Sequence, residues 1–107
     1  LEQGRLPDAV VAYSDIISQG VYDELRRRGL DPGRDIAVAS FDDTRIAAGQ
    51  VPPMTSVAGF PQQVGAKGTE MLLTRLTDGN ADMPAQLSLV QPQLKIRSST
   101  ATWRPRT

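Results

Sequence analysis

Two short apolar runs with one amphipathic segment between them constrain the fold of this chain more tightly than any other feature. The first run, "AVVAY" at 9–13, follows Pro7-Asp8, and the second, "DIAVASF", spans 35–41. Both read as strands buried on two faces, the pattern of a parallel sheet rather than of half-wet strands. Between them Ile17, Val21 and Leu25 repeat every four residues, which predicts a helix over 16–28 with one apolar stripe. Ser14 and Asp15 stand where a helix cap belongs, Gly29 stops the helix, and "DPG" at 31–33 is turn chemistry. Strand, helix and strand make a βαβ unit, which predicts two adjacent parallel strands joined by a right-handed crossover.

Farther along, "TRIAAGQ" reads as a helical turn cut short by Pro52-Pro53, and "MTSV" as a strand or connecting ribbon. Pro61 suits the first turn of another helix. Its predicted inner stripe is Val64, Gly68, Met71, Leu72, Arg75 and Leu76, with Gly65 and Gly68 allowing a close neighbour and Asp78-Gly79-Asn80 ending it. "LSLV" and "LKIRSS", around Gln91-Pro92, read as extended segments, and the tail from Ala101 reads as loose. The start, "LEQGRLPDA", reads as the last turn of a helix followed by a loop. Two clear parallel strands and two long helices are too few to cover a parallel sheet. The inventory therefore predicts a fragment of a larger α/β protein, or a piece that completes its core by association.

Composition narrows the function. The 107 residues suit one small domain, and 12 basic against 12 acidic residues give a net charge of zero. No broad positive field is available to attract nucleic acid or an anionic membrane. The run "RRR" at 26–28 reads as a solvated helix end, with a phosphate-binding patch as the other reading. The chain has no Cys and no His, which excludes a disulfide framework and removes the commonest acid–base group and metal ligand. No cofactor is expected. No apolar stretch approaches the length of a membrane span, and no signal peptide opens the sequence.

In an open parallel sheet, ligands bind beyond the carboxyl ends of the strands. Tyr13, Ser14 and Asp15 follow the first strand, and Asp42, Asp43 and Thr44 follow the second, so these groups should converge on one rim. Asp15 has a capping reading beside a ligand reading, and Asp43 is placed to cap the turn that starts at Thr44. Asp42 has no such task; it is either solvated or accepts hydrogen bonds from a polar ligand. Enzyme readings fare poorly. Adjacent strand-end carboxylates point to opposite sides, so Asp42 and Asp43 cannot face each other across a glycosidic bond. Asp15, Asp42, Asp43 and Lys67 could serve a Mg²⁺-dependent phosphoryl transfer, but their order is reversed relative to receiver-like proteins, and the chain has neither a P-loop nor a G-x-G-x-x-G stretch.

Taken in order, "PDAVVAYSD", Gly20, "LRRRGL", "DIAVASFDDT", "PPMTSV", "GAKGTEMLLTRL" and "IRSSTA" resemble the effector-binding domain of lac-repressor-like (LacI/GalR family) transcriptional regulators, from about Leu6 to Ala101. The resemblance implies a periplasmic-binding-protein-like α/β fold, with two lobes linked by three crossovers that close on a small molecule, usually a sugar or nucleoside-like. It places the βαβ unit in the C-terminal lobe, "PPMTSV" in the third crossover, the helix from Pro61 against the N-terminal lobe, and a closing strand around Leu94 to Ser98. The candidate ligand residues are Asp42, Ser14, Tyr13 and Phe41. Asp42 matches the family aspartate that accepts hydrogen bonds from ligand hydroxyls. Ser14 falls where the family often has a longer asparagine, and Gly59 where several relatives carry a polar ligand residue. The implied dimer interface includes Ile16, Gln19, Tyr22, Ile46 and Gln50, with ordinary surface exposure as the other reading of Ile16 and Tyr22. The expectation is a bacterial, cytoplasmic, homodimeric regulator without enzymatic activity, sensing a small polar effector and touching DNA only through a headpiece outside these residues. A sugar-binding protein of a transport system is the nearest alternative, and a Mg²⁺-dependent phosphoryl-transfer domain a farther one.

Overall fold

Sheet order and sequence order coincide. In the computed structural model, which describes residues 4–77 and 79–106, strands β1 (Ala9–Val11), β2 (Ala37–Phe41), β3 (Thr55–Ala58) and β4 (Gln93–Lys95) lie side by side as β1-β2-β3-β4. The first three are parallel, with Val10 opposite Val38 and Ser40 opposite Ser56; β4 runs antiparallel, with Leu94 opposite Val57. The βαβ prediction holds, and "MTSV" supplies a third parallel strand. The helical turn expected at the start of the chain falls partly on Leu1–Gln3, outside the described residues.

The run at 9–13 was expected to be buried on both faces, and it is not. Among the described residues β1 has one neighbour, so it is an edge strand, and Val11 and Tyr13 stand exposed. Helix α1 (Asp15–Arg27) covers the sheet with a different stripe from the one predicted. Ser18, Tyr22 and Leu25 are buried, whereas Ile17 is half-exposed. The apolar side of α1 that carries Ile17 and Val21 instead borders an open groove with Val10 and Leu25. Helical periodicity found the correct helix but misjudged its inner face by one residue, because the inner face is partly polar.

Val38 and Ser40 lie two apart on β2 and share one face with Ile36, the residue just before the strand. Ile36 and Val38 meet Tyr22, Leu25, Ala47 and Met54 to form the apolar core. Ala47 comes from α2 (Arg45–Gly49), the short turn before the prolines, and the Met54 amide donates to the Ala47 carbonyl at 2.8 Å. The Tyr22 hydroxyl donates to the Pro52 carbonyl at 2.9 Å, tying α1 to the Pro52-Pro53 segment. Tyr22 is fully buried, so it has no surface to offer a second chain and leaves the expected dimer set.

The end of the chain departs most from expectation. "RSS" was read as extended and the tail as loose, yet α4 (Ser98–Ala101) is a helical turn seated on the sheet. Ser99 is fully buried; its hydroxyl donates to the Val38 carbonyl at 2.6 Å and accepts the Thr55 amide at 2.8 Å. Arg106 donates to the Leu6 carbonyl at 3.0 Å and to the Asp35 carbonyl at 2.8 Å, which fixes the tail beside the start of β2.

The chain divides into two compact units: Leu1–Ala58 with Gln93–Thr107, which holds the sheet, and Gly59–Pro92. The second contains α3 (Pro61–Leu76), with proline in its first turn as expected. None of its residues is buried, and no atom lies near enough to Gly65 or Gly68 to need the absence of a side chain. Val64, Gly68 and Met71 instead line a groove with Leu87 and Leu89, so "LSLV" lies irregularly beside the helix rather than as a strand. Of the residues expected to end α3, Asp78 lies outside the described residues.

Candidate ligand-binding site

The loops after β1 and β2 meet. Ser14 takes the cap of α1: its hydroxyl accepts the Ile17 amide at 3.3 Å. Asp15, expected to be a cap or a ligand contact, is neither. It is fully buried, with one oxygen accepting the Ser40 hydroxyl at 2.5 Å and the Ser56 hydroxyl at 2.8 Å. The other oxygen accepts both the amide of Thr44 at 2.6 Å and its hydroxyl at 2.8 Å. Four donors fill the acceptor positions of this carboxylate. Burial pushes its pKa up, but the hydrogen bonds from Ser40, Thr44 and Ser56 outweigh it and hold the carboxyl below its ordinary value.

The opposing loop begins where β2 ends. Asp42 and Asp43 both take positive φ, 101° and 50°, a region that L-residues other than asparagine and aspartate rarely visit. Their amides are held by the framework beside them: Asp42 N–H donates to the Val57 carbonyl at 2.9 Å and Asp43 N–H to the Ser56 hydroxyl at 3.0 Å. This backbone turn, rather than strand alternation, separates the two carboxylates. Asp43 was expected to cap α2. Thr44 does so instead, its hydroxyl accepting the Ile46 amide at 3.3 Å, while the Asp43 carboxylate pairs with Arg97 at 2.7 Å. A cap assignment from sequence cannot choose between neighbours, and Thr44 already sits one residue closer to the helix.

Asp42 points elsewhere. It is exposed, and with Tyr13 and Phe41 it lines a concavity of about 330 Å³ beyond the carboxyl ends of β1 and β2. Tyr13 is 85% exposed and Phe41 46% exposed, which presents two aromatic surfaces beside one free carboxylate. Three of the four predicted ligand residues are thus brought together; Ser14 is not among the lining residues and is engaged with its helix. Of the remaining surface residues expected at a dimer interface, Ile16 and Gln19 are exposed on α1, and Ile46 and Gln50 are partly exposed around α2.

Sequence reasoning missed Asp15 as the hub, Ser56 as its relay and Arg97 as the partner of Asp43. No local signal marks the first: an aspartate in the first turn of a helix is favoured by the macrodipole whether it is solvated or enclosed, and its partners lie far along the chain. Among the described residues, no group of three or more His, Cys, Asp or Glu is placed to hold a metal ion, and no helix is long and apolar enough to cross a membrane.

Comparison with known proteins agrees with this architecture. The family model described as a periplasmic binding protein-like domain matches residues 1–100. The HTH-type transcriptional regulator MalR of Streptomyces coelicolor (strain ATCC BAA-471 / A3(2) / M145) is 33% identical over 99 residues, covering 92% of this chain and 28% of its own length. A structure of the transcriptional regulator CelR in complex with cellobiose superposes with a TM-score of 0.76 at 35% identity, over 86% of this chain and 28% of that one. The lac repressor dimer bound to operator and an anti-inducer superposes with a TM-score of 0.78 at 28% identity, over 92% of this chain and 34% of that one. The chain therefore spans about a third of the length of these relatives. It belongs to the periplasmic binding protein-like family, as part of the effector-binding domain of a lac-repressor-like regulator.

Proposed function

We propose that this chain senses a small polyhydroxylated effector, of the sugar class, for a dimeric DNA-binding transcriptional regulator. The observation that carries the reading is the Tyr13–Phe41–Asp42 concavity at the carboxyl ends of two parallel strands. A free carboxylate accepts hydrogen bonds from vicinal hydroxyls, and aromatic faces pack against the apolar C–H faces of a pyranose ring. The relative captured with cellobiose supports a glycoside as the ligand, and the relative captured as a dimer on operator supports the regulatory setting. Ile16, Gln19, Ile46 and Gln50 are the dimer surface in this reading. Contact with DNA belongs to residues outside this chain, whose net charge is zero.

Calorimetric titration of the full-length protein with cellobiose, lactose and glucose tests the proposal. A saturable heat with at least one of them, weakened about tenfold to a hundredfold by Asp42→Ala, supports it, since a hydrogen bond to a charged group contributes roughly 1.5–3 kcal/mol. Binding that Asp42→Ala leaves unchanged moves the site elsewhere, and no binding of any sugar overturns the effector class.

A further inference from the structure

We propose that Asp15 is a positioning residue for ligand capture: buried and out of reach of any ligand, it fixes the backbone that aims Asp42 into the concavity. This inference rests on the reading of the Tyr13–Phe41–Asp42 rim given above. The geometry is that of a loop held amide by amide. Asp42 N–H ends on the Val57 carbonyl, Asp43 N–H on the Ser56 hydroxyl, and Thr44 N–H on Asp15 itself. Ser56 in turn donates to Asp15, so two of the three anchors converge on this one carboxylate, one directly and one through a hydroxyl. The conformation being held is costly, because Asp42 and Asp43 have φ of 101° and 50°. Positive φ at consecutive non-glycine residues persists only where the surroundings over-determine it. Without the anchors the backbone relaxes toward ordinary φ, and the Asp42 carboxylate leaves the position from which it meets a ligand.

An asparagine at position 15 keeps the shape but replaces one acceptor oxygen with a donor. Whichever way the amide is turned, it cannot accept from Ser40, Ser56 and Thr44 together. A merely structural role predicts that affinity falls only as far as stability does. The positioning role predicts that affinity falls more than in a variant of equal stability loss made elsewhere. Val38→Ala supplies that control: Val38 is fully buried in the apolar core, and its side chain anchors none of the three amides.

The experiment compares full-length wild type, Asp15→Asn, Ser56→Ala and Val38→Ala by cellobiose calorimetry and by amide hydrogen exchange, at a temperature where each is folded. Asp15→Asn and Ser56→Ala should weaken cellobiose about tenfold or more, by loss of preorganisation, with Val38→Ala within about twofold of wild type. Exchange at Asp43 and Thr44 should accelerate in the first two variants and not in the third, a readout that needs no ligand. Ser56→Ala decides the matter should Asp15→Asn fail to fold. Equal affinity across all three variants, or equal protection of the Asp43 and Thr44 amides, overturns the proposal. Asp42→Ala separates the two readings: if it abolishes binding while Asp15→Asn binds normally, only the positioning role of Asp15 fails; if it changes nothing, the rim itself is misassigned.

Discussion

Arg97 and Asp43, 54 residues apart in sequence, are joined by a 2.7 Å bond from a guanidinium Nη2 to a carboxylate Oδ1. Both side chains are mostly buried, 22% and 17% exposed, so the pair is shielded from the screening that cancels surface ion pairs. Arg97 also donates to the Met54 carbonyl at 2.9 Å, which ties the segment after β4 to the base of β3. The pair thus closes the sheet's last strand onto the loop that carries Asp42.

Asp43→Ala should lower stability by about 1–3 kcal/mol, the cost of leaving a buried charged donor without its acceptor. Arg97→Ala should cost more, because the Met54 carbonyl loses a partner as well. A double-mutant cycle on thermal melts should give a coupling of about 0.5–3 kcal/mol. Strictly additive effects would show that the bond contributes nothing.

Asp42 sets function against stability. At φ 101° an alanine keeps the backbone strain of the aspartate, whereas glycine adopts this region freely. Asp42→Ala and Asp42→Gly should therefore lose cellobiose affinity to the same extent, while the glycine variant melts above the alanine variant by roughly 1 kcal/mol of stability. Equal melting temperatures would mean that the turn carries no strain.

Acid stability follows from Asp15. Its folded-state pKa lies below the ordinary carboxylate value, so its charged, hydrogen-bonded form stabilises the fold at neutral pH. That contribution is complete above the unfolded pKa and is lost as pH falls toward the folded one. Glu24, bonded to Arg27 and then Arg28, is held down to about 2 and acts with the same sign, but its contacts are exposed. Salt should flatten the Glu24 part and spare the Asp15 part. Melting curves from pH 7 to pH 3 in high salt should slope downward in the parent and less steeply in Asp15→Asn. Identical slopes would remove Asp15 from the acid response.

Much of this architecture is legible in the residues. The apolar runs at 9–13 and 35–41, with a four-residue repeat between them, announce β1, α1 and β2, although β1 is an edge strand and the inner face of α1 lies off the repeat. The rim at their carboxyl ends follows from parallel topology. What stays hidden has a common cause: it depends on polar contacts across long sequence separations. Nothing local tells a capping Asp15 from one enclosed by a loop 29 residues later, and "SSTA" lacks the apolar repeat that announces a helix. Arg97 looks like any strand-edge cation until β4 is placed beside β3. The stripe on α1 shifted in part for the same reason, since the buried Tyr22 hydroxyl reaches the Pro52 carbonyl; Ser18, also buried, donates to the Asp15 carbonyl within its own helix.

Burial also separates two residues first grouped at a dimer interface. Tyr22→Phe removes the donor to the Pro52 carbonyl and should lower stability by roughly 1 kcal/mol without altering self-association. Ile16, 67% exposed, is the opposite case. Ile16→Arg should leave the melt within about 0.5 kcal/mol, as a surface change, and weaken dimerisation in sedimentation velocity. A monomer–dimer equilibrium indifferent to Ile16→Arg would move the interface off this face of α1.

Gly33 and Gly29 allow the seating of α4 to be weighed separately from backbone strain. Both have positive φ, 82° and 73°. A Cβ on Gly29 would meet open space, whereas one on Gly33 would lie 3.0 Å from the Ser98 carbonyl oxygen and 3.0 Å from Ser99 Cα. Those are backbone atoms and cannot swing aside. Gly29→Ala should thus cost only the left-handed conformation, about 1–2 kcal/mol. Gly33→Ala should cost that and a further 1–3 kcal/mol or so, the penalty of overpacking a tight contact. The displaced turn would also strain the bonds from Ser99 to Val38 and Thr55, so exchange at the Thr55 amide should rise in Gly33→Ala alone. Equal melting temperatures for the two variants, with Thr55 protected in both, would show that α4 rests loosely on the sheet and that its buried serine is not one of the fold's fixed points.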